Sequence, residues 1–141
     1  MKSKSFAAIA LSCLMMSSQI AHAQDLASQL IGEWKQTSTA QKYVESSVIT
    51  RGVQRGIAVF TRDGFFAFNL NRTGFFGSGT FKIEGDVVVL RYEICSVREW
   101  VGQERRPTMQ VDNKVLTWTS AQLRDPGGKA YHDVHTLERI E

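Results

Sequence analysis

Three side chains able to transfer protons lie close together near the end of the chain. Tyr131, Asp133 and His135 are two residues apart, and in a β-strand this spacing places them on one face with Leu137. If that face points inward, His135 could act as a general base, with Asp133 beside it and Tyr131 as a proton donor. If it points to solvent, the set is an ordinary polar strand surface. These residues are the catalytic candidates, and whether the protein is an enzyme stays open.

Other chemistry finds less support in the sequence. His132 and His135 point to opposite faces of the same strand, so they cannot share a zinc ion without distortion. Haem ligation through one histidine has no supporting motif. The sequence also contains no glycine-rich phosphate loop, no serine-nucleophile motif and no CxxC pair. We therefore predict no metal site and no cofactor.

The first 23 residues have the layout of a secretory signal peptide. A basic start with Lys2 and Lys4 precedes an uncharged, mostly apolar stretch over residues 6–20, and Ala21-His22-Ala23 fits a cleavage site. A stretch of about 15 residues is short of the roughly 20 that span a bilayer, which favours cleavage over a retained anchor. We expect cleavage after Ala23, a single domain over residues 24–141 without a membrane segment, and a secreted or periplasmic location.

Charge and cysteine content argue against nucleic-acid binding and against an internal disulfide in the mature chain. Loss of Lys2 and Lys4 leaves 15 Lys+Arg against 14 Asp+Glu, a net charge of +1. A nearly neutral domain gives no electrostatic case for binding nucleic acid. Cys95 is then the one remaining cysteine, so an internal disulfide is impossible. We expect a small buried side chain there, with an intermolecular disulfide as the alternative.

The sequence after position 26 predicts β-strands joined by short turns. The predicted strands are Trp34–Ala40, Ile57–Thr61, Phe65–Leu70, Phe75–Ile83, Val87–Cys95, Pro107–Val111, Val115–Leu123 and Ala130–Ile140. A helical turn at 26–30, a long loop at 41–54 and a type I′ turn at Asp63-Gly64 complete the pattern. An eight-stranded antiparallel up-and-down barrel is the simplest all-β solution, because closure removes the sheet edges. An open sandwich is favoured if the first and last strands do not pair.

Alternation along these strands predicts the interior. Val88, Leu90, Tyr92 and Ile94 point inward if Arg91 and Glu93 face water. Gly77 and Gly79 indicate a strand bend, or room for a packed aromatic ring or a ligand, and Trp100 either covers the barrel mouth or packs on its rim. The ligand-binding candidates are Phe66, Phe68, Phe81, Leu90, Tyr92, Met109, Trp118 and His135.

The two ends of the domain carry a matched pair of motifs. Gly32-Glu33-Trp34 opens the first strand, and Leu137-Glu138-Arg139 closes the last. If these strands meet, the Trp34 indole closes one end of the barrel and the Arg139 guanidinium lies across its face.

Several segments in order resemble the bacterial and fungal lipocalin-like domains, which belong to the calycin barrels. The segments are 30–35 (LIGEWK), 57–64 (IAVFTRDG), 77–81 (GSGTF), 100–102 (WVG) with Arg105 and Arg106, and 137–140 (LERI). The resemblance spans most of residues 26–141. It implies a barrel that binds small hydrophobic molecules, with structural roles for Gly32, Trp34 and Arg139. It carries over no catalytic motif, although some calycin relatives are isomerases, cyclases or haem proteins.

We therefore expect an exported lipocalin-like protein that binds one small, mostly hydrophobic ligand inside a β-barrel. The alternatives are an isomerase or cyclase that uses the barrel cavity, and a non-catalytic structural or interaction module of the cell envelope.

Overall fold

The computed structural model describes residues 25–46, 48–50, 52, 55–70 and 74–141. The predicted signal peptide lies outside these residues and stays a prediction. Helix is confined, within the described ranges, to residues 25–30 and a 3₁₀ helix at Arg98–Trp100. No helix in this part of the chain is long and apolar enough to cross a membrane.

Antiparallel β-structure dominates the described residues, which confirms the all-β prediction. The strands are β1 (Gly32–Tyr43), β2 (Val48–Thr50), β3 (Ile57–Phe60), β4 (Phe65–Leu70), β5 (Phe75–Glu84), β6 (Val87–Cys95), β7 (Glu104–Arg105), β8 (Thr108–Asp112), β9 (Val115–Thr119), β10 (Leu123–Arg124) and β11 (Ala130–Arg139). They form one sheet in the order β7-β6-β5-β4-β3-β1-β11-β9-β8, with β2 on β1 and β10 on β11.

Eight of these strands have four or more residues and match the eight predicted strands in order. The three short strands β2, β7 and β10 were not predicted as strands. Two boundaries differ by three or more residues, and several others by one or two. β1 continues to Tyr43 because it pairs with β11 as far as Tyr131, so the predicted loop at 41–54 begins later and contains β2. The predicted strand Val115–Leu123 ends at Thr119, and β10 begins at Leu123.

The sheet curls into a half-barrel. The first and last strands pair, with Trp34 opposite Arg139, so the condition that would favour an open sandwich is not met. The edge strands of the ordered sheet are β7 and β8. Between them lies a gap, here called the seam, across which β6 and β8 have Cα atoms within 8 Å of each other. In the described part of the chain no β-ladder bridges the seam.

One end of the half-barrel is filled by Trp34. Its side chain is fully buried, and the indole Nε1 donates a hydrogen bond to the Leu30 carbonyl at 2.8 Å. The Arg139 guanidinium lies 4.2 Å from the indole centroid and donates to the Ile31 carbonyl at 2.7 Å and to that of Gln29. The last turn of the 25–30 helix is therefore fixed across this end. Arg139 also lies against Gly32, whose φ of +136° suits glycine.

Gly77 leaves room for aromatic rings in the interior. A Cβ at this position would lie 2.9 Å from the Phe68 ring and 3.0 Å from the Tyr92 ring. Of the two sequence-based interpretations of this glycine, the structure therefore shows the close approach of aromatic side chains.

The predicted inward orientation of Ile94 is wrong. Ile94 is 59% exposed, whereas Cys95 is buried. The register between β5 and β6 shifts at this point. Ser78 pairs with Ile94 and the next residue, Gly79, pairs with Tyr92, so Glu93 is an extra residue in β6. This β-bulge reverses the alternation beyond Tyr92. Before the bulge the prediction holds, because Arg91 is exposed and Leu90 and Tyr92 are buried.

The β3–β4 hairpin also differs from its prediction. A type I′ turn at Asp63-Gly64 needs positive φ at both residues. Gly64 has φ +86°, but Asp63 does not have positive φ. Gly64 N–H donates to the Thr61 carbonyl at 3.2 Å, and Thr61 N–H donates to that of Phe65 at 2.8 Å. The loop therefore has three residues and ends in a left-handed glycine.

Candidate functional site

A small cavity, here called the seam cavity, lies inside the half-barrel between residues from both sides of the seam. Its volume is about 30 Å³, space for about one water molecule. The lining residues are Phe75, Tyr92, Trp100, Arg105, Pro107, Trp118, Ser120, Ala121, Leu123, Asp133 and His135. Its walls thus combine aromatic and aliphatic side chains with a few polar groups.

The predicted ligand-binding residues divide between this cavity and the core. Tyr92, Trp118 and His135 line the cavity. Phe66, Phe68, Leu90 and Met109 are buried in the core, and Phe81 is partly buried with its edge against Phe60, 5.4 Å between centroids. Phe68 meets Trp118 edge-to-face at 5.2 Å and Tyr92 at 6.1 Å, so aromatic packing fills the interior behind the cavity.

Trp100 forms the outer wall of the seam cavity. Its ring lies 5.8 Å from that of Phe75 and 5.7 Å from that of Tyr92. The Arg105 guanidinium lies over the indole, 4.3 Å from its centroid. Of the two sequence-based alternatives, covering the mouth describes this position better than packing on the rim, because Trp100 contacts the residues that line the cavity.

A buried polar cluster joins β1 to β11 at the cavity wall. His135 Nδ1 lies 3.0 Å from Thr39 Oγ1 and 3.2 Å from Gln36 Nε2, and the Gln36 amide also donates to Thr39 Oγ1. The exposure of Gln36, Thr39 and His135 is 3% or less, and that of Gln41 is 8%. All four polar side chains are therefore buried inside the half-barrel, and His135 is the one among them that can titrate.

A bulge in β1 brings part of this cluster inward. Strict alternation from Trp34 would turn Gln36, Ser38 and Ala40 to the interior. Pairing with β11 shifts between Gln36 and Ser38, so Thr39 and Gln41 point inward instead. The inward orientation of these two residues was not predicted, since the sequence of a single strand does not reveal where a bulge inserts an extra residue.

Burial shifts the pKa values of three groups in the interior, those of His135, Tyr92 and Cys95. It lowers the pKa of His135 to about 4, so the imidazole is neutral at neutral pH. It also raises the pKa of the Tyr92 hydroxyl, and it raises that of the Cys95 thiol, which therefore lacks the thiolate form of a nucleophile.

The catalytic candidates share the inward face of β11 but do not form a hydrogen-bonded set around His135. His135 and Leu137 are buried, while Tyr131 and Asp133 are partly buried. The hydrogen bonds of His135 go to β1, and the Tyr131 ring packs 5.7 Å from that of Tyr43. Asp133 does line the cavity with His135. A catalytic role for these residues stays a prediction.

Larger depressions lie on the outer surface. One of about 590 Å³ is lined by residues 43–46, Arg124 and residues 127–130, and one of about 190 Å³ by Phe81, Arg91, Glu104 and neighbours. The larger one contains Lys129 and Arg124 beside Glu45, so charges of both signs meet there. Neither is lined by a buried polar side chain, and the seam cavity is the better candidate site.

Comparison with protein-family models and with curated proteins finds no match to this chain. Within the described residues, no three His, Cys, Asp or Glu side chains come together as metal ligands.

Proposed function

We propose that this protein is an exported lipocalin-like protein that binds one small, mostly hydrophobic ligand inside an eight-stranded up-and-down barrel. The single observation that carries the proposal is the seam cavity, where aromatic and aliphatic walls meet the buried His135 and the partly buried Ser120 and Asp133. Such a combination is typical of small-molecule sites, in which apolar walls supply affinity and a few polar groups fix orientation.

The strand order supports the barrel form of the proposal. Eight strands of four or more residues follow one another as antiparallel neighbours, apart from the β6–β8 step at the seam. The approach of β6 to β8 within 8 Å between Cα atoms makes that gap narrow. A hydrogen-bonded ladder there would close the barrel and remove both edges.

A ligand larger than water requires Trp100 to move. Trp100 lies on a three-residue 3₁₀ helix with no buried residues. The contacts that hold its ring are two aromatic pairs and one cation–π contact, each about 0.5–1.5 kcal/mol. The indole can therefore leave its place at modest cost, and its volume is added to the cavity.

The first test is native mass spectrometry of the mature protein purified from its own host, with identification of any released molecule. One apolar molecule per chain is the expected result. The intact mass also tests export, because cleavage after Ala23 predicts a chain that begins at Gln24.

A probe titration tests the site itself. We expect N-phenyl-1-naphthylamine, an uncharged fluorescent probe, to bind the Trp100→Ala variant more tightly than the wild type, because the cavity is larger and open. Val101→Ala is the matched control, since Val101 is the next residue, is 45% exposed and does not line the cavity. An empty protein that takes up the probe in neither form would refute the proposal and favour a packed module of the cell envelope.

One observation favours the enzyme alternative, in which the cavity serves an isomerase or cyclase. Asp133 and His135 lie on the same cavity wall, where an acid and a base would be needed. Once a ligand is identified, its turnover by the wild type and by His135→Ala decides the matter. Unchanged turnover in the variant would exclude His135 as the catalytic base.

A further inference from the structure

We propose that the seam cavity recognises an uncharged ligand by its carbonyl oxygen, which accepts a hydrogen bond from the Nε2–H group of His135. This inference rests on the proposed function and specifies the chemistry of the ligand. It follows from the hydrogen bonds of His135 and from the burial of its ring.

The contacts at Nδ1 determine which nitrogen carries the proton. Gln36 Nε2, an amide nitrogen that can only donate, lies 3.2 Å from His135 Nδ1. A protonated Nδ1 would face another donor, so the geometry favours an unprotonated Nδ1, whose single lone pair accepts from this amide or from Thr39 Oγ1 at 3.0 Å. A neutral imidazole has one proton, so it resides on Nε2.

The Nε2–H group has no partner among the described residues, since the hydrogen bonds of His135 are both at Nδ1. The residue is 3% exposed, and a buried donor without an acceptor is costly. Nδ1 faces β1, so Nε2 lies on the other side of a ring that lines the seam cavity. A ligand oxygen in the cavity would satisfy this donor.

Neighbouring rings hold the imidazole in place. The Trp118 ring lies 6.3 Å away at 77°, and the Phe75 ring lies 6.5 Å away at 19°. Together with Gln36 and Thr39 they fix the ring before any ligand enters. A donor oriented in advance loses little freedom on binding, which strengthens the discrimination that it provides.

A second buried polar group lies close to the same place. Gln41 is 8% exposed, and its side chain makes no hydrogen bond to another residue that the structure describes. Gln41 pairs with Asp133, and Thr39 pairs with His135, so Gln41 is diagonal to His135 on the inner face, about 7 Å away between Cα atoms. Gln41 does not itself line the seam cavity, so it adds a polar group behind the cavity wall and not a contact to the ligand.

The surroundings favour an uncharged ligand. The buried polar side chains of the site, Gln36, Thr39, Gln41 and His135, carry no formal charge at neutral pH. An ion placed among them would lose its hydration without gaining a counter-ion. The lining also includes Arg105 and Asp133, which are of opposite sign and only partly buried, so they give no net preference for either charge.

The experiment compares two small probes, indane and 1-indanone, which share a bicyclic skeleton and differ by one carbonyl group. Dissociation constants are measured by calorimetry for the wild type, for His135→Phe and for His132→Phe. His132 is the matched control because its Nδ1 lies 2.8 Å from the Ser120 carbonyl and it does not line the cavity. The ratio of the two constants cancels the hydrophobic contribution that the probes share.

We expect the preference for 1-indanone over indane to fall about tenfold in His135→Phe and to stay unchanged in His132→Phe. An equal preference in the wild type and His135→Phe, with both probes bound, would overturn the inference and leave the proposed function standing. Failure of both probes to bind the wild type and Trp100→Ala would overturn both.

A measurement on the wild type alone guards against a variant that does not fold. Long-range ¹H–¹⁵N correlation spectra distinguish the two neutral histidine tautomers. We expect His135 with a protonated Nε2 and a bare Nδ1, and a change in the Nε2–H signal when 1-indanone is added. A proton on Nδ1 would overturn the inference.

Discussion

Replacing Trp34 with alanine tests whether one end of the half-barrel depends on this side chain. Trp34 is fully buried, and removing so large a core side chain costs about 3–5 kcal/mol in unfolding free energy. The hydrogen bond to the Leu30 carbonyl and the cation–π contact with Arg139 are lost in the same change. We therefore expect a loss of about 4–5 kcal/mol, near the upper end of that range.

The assay is equilibrium unfolding of the mature protein in urea, followed by far-ultraviolet circular dichroism. Domains of this size have slopes of about 1–3 kcal/mol per molar urea; at a slope of about 2, the midpoint should fall by roughly 2–2.5 M. Since typical domains have only about 5–15 kcal/mol of stability, Trp34→Ala should be folded but marginal.

Trp100→Ala is the matched control for this prediction. It removes a side chain of the same type from a partly exposed position at the seam, where the loss of two aromatic pairs and one cation–π contact should cost about 2–3 kcal/mol. A Trp34→Ala loss below about 1 kcal/mol, or one equal to that of Trp100→Ala, would refute the reasoning that Trp34 closes the end of the core.

Three further changes are each measured by urea unfolding. Arg139→Met should cost about 1–3 kcal/mol, because the Gln29 and Ile31 carbonyls lose their donor; full stability would mean that water replaces the guanidinium. Gly77→Ala should cost about 1–3 kcal/mol, since its Cβ would meet the Phe68 and Tyr92 rings, whereas outward-facing Ser78→Ala should be near neutral. Burial lowers the pKa of His135 from 6.5 to about 4. As the pH falls, His135 is therefore protonated in the unfolded chain before it is protonated in the folded protein. Stability should be unaffected above about pH 6.5, fall by about 2–3 kcal/mol toward pH 4.5 and level off below pH 4. The part of this loss of stability that is due to His135 should be absent in His135→Phe. Equal losses of stability in the wild type and the variant would contradict the prediction.

The sequence predicts the longer strands because their boundaries are local. Gly64 and Gly85 have positive φ at hairpin turns, and the apolar alternation between such turns is regular. The pairing of Trp34 with Arg139 could also be predicted from the sequence, because it requires only that the first and last strands meet. The short strands β7 and β10 were missed, since segments of two residues become strands only when a neighbour in the sheet supplies the hydrogen bonds.

The bulges explain where the prediction of the interior failed. One extra residue in β6 turns Ile94 outward, and one in β1 turns Thr39 inward. A bulge depends on the register of two strands, which no single strand reveals. Tyr92 and Trp118 were placed correctly in the interior because no bulge separates them from the other inward-facing residues of their own strands, whereas the sequence left the orientation of His135 open.

Tertiary packing also limited the prediction of the candidate site. Phe66 and Phe68 stack 6.2 Å apart, and Gly77 lets the Phe68 ring approach closely, so these residues fill core space that the sequence analysis assigned to a ligand. Phe75 and Arg105 line the cavity but were not predicted, because their role depends on how the β6–β8 connection folds across the seam.

The distribution of unfavourable features within the half-barrel supports a binding role for the seam cavity. The Trp34 end is packed, and its polar atoms are paired. The other end has a bulge in β1, which interrupts a ladder, and the buried side chains of Gln41 and His135, each with hydrogen-bonding capacity that no described residue uses. Buried polar side chains without partners cost stability, and apolar replacements would remove that cost. Since sequences tend to break the rules of stable folding at functional sites, the concentration of such costs around one cavity favours a bound molecule over a packed envelope module.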